Sequence, residues 1–456
     1  MTKILCGFAA ASLFFSVVKP TLGADATGLP QTMTLQDCLD LALKQNPSIL
    51  KAQQEIRRTR GVVVETRAAG VPQITASGSG QMIAKEAIDA FKFTTTNGAT
   101  ATSAVFGNQQ QPWSAQVQAS QLLYQGGRVS SGVRAAVLSS QIAGLDFQRI
   151  VADTILNVRK SFYQILLNKA LAEVREESVT LLEQQLVDAQ SRFDAGTVPR
   201  FNVLRAEVEL ANAKPPLIRA QNDLRLSKES LVKLLAIDST QMNDFTPINF
   251  EGKMVYEHRA WELSSALQQA INQRPELQAA ERQIGVAKAN IKVASSGYQP
   301  EASIFGNYGW HDYAFADDPS ETREGWTAGA SVSWALFDGM LTRGRVSEAR
   351  AVLEEANLDY ADTRRQVELE VRQGYSDYLQ TLELIEAQKK TVEEAEESLR
   401  LAEARFRAGT GTQLDVLSAQ TALSDARSNE VQALHDYNVA IATLERVTGM
   451  TVRVVN

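Results

Sequence analysis

Two stretches of this chain alternate apolar and polar residues one for one. Trp113, Ala115, Val117, Ala119 and Leu123 alternate with Ser114, Gln116, Gln118 and Ser120. Trp326, Ala328, Ala330, Val332, Trp334 and Leu336 alternate with Thr327, Gly329, Ser331 and Ser333. A period of two is that of a β-strand with one apolar face. Weaker alternation upstream, over 73–82 and 302–310, gives each stretch a hairpin partner. Each segment is about ten residues long, enough to cross a bilayer as a tilted strand of ~9–11 residues. The face opposite the apolar one is small and polar, as a wet lumen requires. Trp113, Trp310, Trp326 and Trp334, four of the five tryptophans, fall in these segments. Aromatic residues at strand ends form the interfacial girdle of membrane β-barrels.

The remainder reads as helix. From Gln125 to Ala195 there is no proline, and apolar residues recur at Val179, Leu182, Leu186, Ala189 and Phe193. Val392, Ala395, Leu399, Ala402 and Phe406 repeat that spacing of threes and fours, which predicts coiled-coil packing. Ala195-Gly196-Thr197-Val198-Pro199 and Ala408-Gly409-Thr410-Gly411 break these helices, and helical pattern resumes behind each break. Pro215-Pro216 predicts a kink in the first returning helix. Two further helical stretches, 34–69 and 261–296, precede the strand pairs, with Thr34 and Asp37 placed as an N-cap and its helper.

These elements are written twice. Leu35, Leu39, Ala42, Gln45 and Pro47 return as Leu263, Leu267, Ala270, Gln273 and Pro275, an offset of 228 (275 − 47). Leu123-Tyr124-Gln125-Gly126 returns as Leu336-Phe337-Asp338-Gly339, an offset of 213 (337 − 124) that persists to Val203-Leu204 and Val416-Leu417. The two offsets differ by 15 residues, confined between Pro72 and Tyr124. This places extra loop at 83–112, expected to be extracellular. The chain divides into a first repeat over 25–236 with its β-hairpin at 73–124, a linker at 237–260, a second repeat over 261–449 with its hairpin at 302–337, and a tail at 450–456.

Residues 1–24 stand apart. Lys3, an apolar run from Ile4 to Val18 and a small-residue exit at Thr21-Leu22-Gly23-Ala24 predict a secretory signal peptide. Its removal takes Cys6 and leaves Cys38 without a disulfide partner. After residue 24 no apolar run reaches the ~18 residues of a transmembrane helix, so any membrane crossing falls to the strands. A net charge of -7 recommends no nucleic-acid partner. Enzyme signatures are equally thin. The three histidines, His258, His311 and His435, are not spaced for a metal site, and Ser48-x-x-Lys51 has no companion motif. No phosphate-binding glycine loop is present, and no cofactor is expected.

Four strands cannot close a barrel, and an open edge in lipid leaves backbone groups unsatisfied. Two copies would give eight strands and a filled core, whereas three would give twelve and a lumen. Transport favours three. The order of strand hairpin, long helix, Gly-Thr turn and return helix, given twice, resembles the TolC-like outer-membrane efflux and secretion family. So do Ala42-Leu43-x-Gln45-Asn46-Pro47, Arg405-Phe406-x-Ala408-Gly409-Thr410 and Asp415-Val416-Leu417-x-Ala419-Gln420. The resemblance implies an α+β membrane protein, a homotrimer with a 12-stranded β-barrel in outer-membrane lipid above an α-helical barrel in the periplasm. It implies an exit duct for efflux or type I secretion. The duct would dock a periplasmic adaptor through Gly196, Thr197, Val198, Gly409, Thr410 and Gly411, and serve an inner-membrane pump of RND, ABC or MFS class. It also implies a tip gate. Asp415 matches an aspartate that lines the constriction, Ser418 stands where some members place a second aspartate, and Gly411 where some place an arginine. Phe406 replaces a tyrosine, and Asn202 is the first-repeat equivalent of Asp415. The alternative is a periplasmic coiled-coil adaptor, which shares the long hairpins.

Overall fold

Each repeat opens on a pair of helices where the sequence pattern suggests one. The computed structural model describes residues 32–82, 93–94, 100–101, 112–238, 245, 247–257, 259–312 and 322–450. The expected signal peptide, most of the 83–112 loop, His258 and residues 451–456 lie outside the described residues.

Strand β1 (Thr32–Met33) leads into α1 (Leu35–Gln45) and α2 (Pro47–Ala68). Strand β2 (Gln73–Gly80) follows, then the short pair β3 (Phe93–Thr94) and β4 (Thr100–Ala101), then β5 (Trp113–Gln125). The long helices α3 (Arg128–Asp194) and α4 (Arg200–Leu234) complete the first repeat. Strand β6 (Asn249–Phe250) lies in the linker. The second repeat holds α5 (Leu263–Gln273), α6 (Pro275–Ser295), β7 (Glu301–Asp312), β8 (Arg323–Ser333), α7 (Leu341–Arg407) and α8 (Gln413–Val447).

The breaks after α1 and α5 come from proline. A residue before proline is pushed out of the helical region, and Asn46 (ψ 126) and Arg274 (ψ 124) are both extended. Pro47 and Pro275 then take the first helical position, where their missing N–H costs nothing. At the start of α1, Thr34 and Asp37 form a reciprocal capping box. The two 67-residue helices span roughly 100 Å each at ~1.5 Å per residue. Helix α4 runs unbroken through Pro215 and Pro216. Both are exposed, so the carbonyls they leave unpaired can bond water.

One four-stranded antiparallel sheet runs in the order β2-β5-β7-β8. The strand expected to reach Leu336 ends at Ser333. Its counterpart β5 continues to Gln125 because β7 pairs with it down to Glu301, whereas β8 is an edge among the described residues, and its neighbour β7 ends at the Glu301–Ser333 register.

The linker is less featureless than its sequence. β6 pairs in parallel with β1, Met33 opposite Phe250, and Ile248 and Phe250 are buried with Phe162, Leu231 and Cys38. The hydroxyls of Tyr378 and Tyr437 donate to the carbonyls of Arg259 and Glu257, fixing the far end. Burial, with the Asp37 charge adding to it, pushes the Cys38 thiol up to about 12. Because the thiolate is the nucleophile, Cys38 should resist maleimide at pH 7.5 in the folded protein and label fully in denaturant. Equal labelling rates in both states would contradict this packing.

A buried charge network ties the second repeat to α3. Arg274, 3% exposed, reaches Glu276 at 2.8 Å and Glu370 at 2.5 Å. Arg446 bonds the same two carboxylates at 3.1 and 3.0 Å and adds Asp153 of α3 at 2.8 Å. Glu445 pairs with Arg159 and Arg259 beside it.

Candidate functional site

Register divides the sheet into two chemically opposite faces. Ala76 stands opposite Val117, Val117 opposite Tyr308, and Tyr308 opposite Trp326. The face they share also carries Ile74, Ala115, Ile304, Ala328 and Val332. Apart from the half-buried Ala115, these side chains are exposed though apolar, Ile74 to 74%, Trp326 to 76% and Val332 to 74%. An apolar face of this extent on an open sheet requires an apolar surrounding. The other face presents Ser79 against Ser114 and Ser303 against Ser331, with hydroxyl oxygens 2.9 and 2.8 Å apart. Thr75, Gln116, Gln118, Asn307 and Thr327 share that face.

The tryptophans occupy both ends of the apolar face. Trp113 sits at the last register before the hairpin loops and Trp310 a residue or two short of it, with Trp326 close behind. Tyr308 packs edge-on to Trp310 at 5.0 Å, and the Trp310 indole donates to Glu324 at 3.0 Å. Trp334 lies at the opposite, helix-side end just beyond β8, its indole donating to the Tyr298 carbonyl at 3.1 Å.

About 100 Å of helix away, the two Gly-Thr turns form the far tip. Gly196 (φ 71) and Gly409 (φ 72) adopt the left-handed conformation that favours glycine. Thr197 N–H returns to the Arg192 carbonyl at 2.9 Å and Thr410 N–H to Arg405 at 3.0 Å, the six-to-one bond of a Schellman cap. Past the turns the repeats diverge. Thr412 caps α8, its backbone N–H and hydroxyl donating to the Asp415 carboxylate at 2.9 and 2.8 Å while its Oγ1 accepts from Asp415 N–H. Those bonds, the backbone one first, hold the exposed Asp415 carboxyl below the usual range. In the first repeat Pro199 stands in the position of Thr412 and offers no side-chain cap, leaving Asn202 without that bond.

The expected tip residues divide into two places. Asn202, Phe406 and Val198 line a groove of 280 Å³ between the two helical hairpins, where the Arg192 guanidinium lies 4.8 Å over the Phe406 ring. Phe406 thus serves as a cation–π acceptor where a tyrosine would offer a hydroxyl. Asp415 and Ser418 lie exposed on α8, three residues apart on one face. Reasoning from the sequence missed Thr412 and Arg192. The Thr412-x-x-Asp415 spacing is a readable capping-box signal, whereas nothing local marks Arg192 for the ring of Phe406.

The chain matches the family described as "Outer membrane efflux protein" over residues 38–236 and 266–450, most of both repeats. It is 27% identical to the outer membrane protein TolC of Vibrio cholerae over 299 residues, covering 65% of this chain and 67% of that protein. It is 21% identical to TolC of Escherichia coli K12 over 436 residues, 93% of this chain and 83% of that one. Among solved structures, the CmeC outer membrane channel of Campylobacter jejuni superposes with a TM-score of 0.77 at 16% identity, covering 91% of this chain and 85% of that one. The adaptor alternative is set aside, because these relatives are outer-membrane proteins and an adaptor has no use for a sheet with one exposed apolar face. Two repeats of strand hairpin and helical hairpin, each matched in sequence, place the chain in the outer membrane efflux protein family, as an efflux or secretion channel of the outer membrane.

Proposed function

We propose that three copies close one 12-stranded barrel in the outer membrane and one helical tunnel beneath it. The observation that carries this reading is the sheet itself, apolar on one exposed face and open at both edges, β2 and β8. Edge N–H and C=O groups in lipid each cost several kcal/mol, so the edges need partners of the same kind. The tunnel ends at the Gly196-Thr197-Val198 and Gly409-Thr410-Gly411 turns, the surface offered to a periplasmic adaptor and through it to an inner-membrane pump. Trp113, Trp310, Trp326 and Trp334 mark the two lipid interfaces.

Asp415 forms the anionic constriction of the tip, with Ser418, Asn202 and Phe406 shaping its surroundings. Converging carboxylates raise one another's pKa. The bonds from Thr412 act the other way, so the ring stays charged at neutral pH and favours cations. Native mass spectrometry of the detergent-extracted protein should give a trimer. In planar bilayers Asp415→Asn should reduce cation selectivity and block by divalent cations severalfold while the trimer persists. Unchanged conductance and selectivity with lowered thermal stability would leave Asp415 a helix cap alone.

A further inference from the structure

The two repeats superpose register for register. Shifting the first hairpin by 228 on β2 and 213 on β5 turns the Gln73–Ser120 pair into Glu301–Ser333, which is the pair observed between β7 and β8. The chain therefore contains one complete seam between successive repeats, β5 against β7, and the two halves of another, the open edges β8 and β2. From this pseudo-symmetry we infer the residue-level register by which β8 of one copy pairs with β2 of the next, resting on the trimeric reading above. Transferring the β5–β7 pairs by the same offsets places Ser331 opposite the partner's Ser79, the image of Gln118–Asn307. Ser333 falls opposite the partner's Ser77, and Trp334 opposite the partner's Ala76.

Three features of the chain fit this register and no single-residue slip of it. The faces match. Val332 and Trp334 meet Gly78 and Ala76 on the apolar side, while Ser331 and Ser333 meet Ser79 and Ser77 on the polar side. A slip by one residue would put each side chain against the wrong face. The register also carries β8 through Trp334–Phe337, where it lacks a neighbour in the single chain. Finally, the internal seam ends on a hydrogen bond from Gln125 Nε2 to Glu301 Oε2 at 2.9 Å. Its image joins Asp338 to the partner's Gln73, an acid and an amide again, with donor and acceptor exchanged between the strands.

The helical layer repeats the relation. In the internal seam Ala135, Leu138 and Ile142 of α3 pack on Val286 and Ala289 of α6. A Cβ on Gly285 would stand 3.0 Å from Leu138 Cδ1. The images of the α3 residues are Glu348, Ala351 and Glu355 on α7, and those of Gly285 and Val286 are Arg57 and Arg58 on α2. All five are exposed in the single chain, while Ala135, Val286 and Ala289 are buried. The large-against-small contact is kept with sizes exchanged, Arg57 against Ala351. Two carboxylates then face two guanidinium groups across the seam.

Oxidative cross-linking of the full-length channel in membranes tests the register. Ser79→Cys with Ser331→Cys should give boil-resistant covalent trimers, at least tenfold more than Ser77→Cys with Ser331→Cys, a two-residue slip that keeps the faces. A protein that is trimeric by native mass spectrometry yet cross-links preferentially through the slipped pair overturns the register and leaves the trimer standing. A trimer linked through neither pair overturns the edge pairing. A monomer overturns the trimeric reading itself. In the helical layer, Arg57→Glu with Arg58→Glu should lower the trimer's thermal midpoint, and adding Glu348→Arg and Glu355→Arg should restore it. Failure to restore would overturn the charge pairing.

Discussion

Replacing Ala328 with arginine should weaken the membrane-inserted channel by about 2–4 kcal/mol per chain, the cost of a lipid-facing arginine near the midplane of a β-barrel. Ala328 lies at the middle of β8, opposite Gly306, on the face that carries Ile74, Val117 and Trp326. The adjacent Thr327, opposite Asn307, points to the other face, where arginine keeps its hydration in the lumen. Thr327→Arg should therefore stay within about 1 kcal/mol of the parent. Reversible denaturant unfolding in lipid vesicles, followed by tryptophan fluorescence, measures both. The two substitutions share strand, exposure and charge change, so a difference between them reports the surrounding medium alone. Equal losses would mean that the faces are not separated into lipid and water.

That contrast was legible in the sequence because a strand has a period of two, and twelve matched registers over β5 and β7 preserve it through a single irregularity between Leu122 and Tyr124. The same regularity located the coiled-coil helices, whose apolar residues at Val179 and Leu182 are buried where the spacing puts them. What stayed hidden depends on contacts far apart in the chain. The end of β8 at Ser333 follows from a missing neighbour, a fact about the sheet edge and not about Trp334 or Leu336. The β1–β6 pairing involves two residues on each side, too few to show a period. At the tip, the Gly-Thr turns were plain because only a left-handed glycine ends a helix that way. The separation of Phe406 and Asn202 from Asp415 and Ser418 depends on how two hairpins pack, and internal repetition alone did not show it. The breaks at Asn46 and Arg274 were readable from the prolines that follow them, a local rule that holds against the longer helical pattern.

The position of Arg274 shows how far two copies of one motif can diverge. Its first-repeat counterpart Asn46 is also buried, and solves the break locally. It caps α2 through Ser48 N–H at 2.9 Å and donates to the Leu234 carbonyl at 2.8 Å. Arg274 instead engages Glu276 and Glu370, which Arg446 also holds. Burial by itself raises the pKa of both carboxyls. The hydrogen bonds and charge of Arg274, with the charge of Arg446, outweigh it and leave both lowered. Lowered carboxyls contribute stability that is present above their unfolded value of ~4.3 and lost as pH falls through the folded values. Arg274→Leu removes one cation from a buried network and leaves Arg446 as the cation facing both carboxylates, with Gln366 still donating to Glu370, a change that should cost about 3–5 kcal/mol at pH 7. In that variant the carboxyls lose their main partner while burial still raises them, so they take up protons earlier on acidification. The gap between parent and variant should accordingly be widest near neutrality, narrow as pH falls toward ~4 and close only once pH has passed the parent's lowered values, where both forms hold neutral carboxyls. Arg274→Lys keeps the charge without the two-pronged geometry and should fall between them. Denaturant unfolding of the detergent-solubilised channel at pH 7 and pH 4 measures all three. A loss under ~1 kcal/mol at pH 7 would be that of an ordinary surface ion pair, and a gap that widens on acidification would show that these carboxyls do not answer to Arg274.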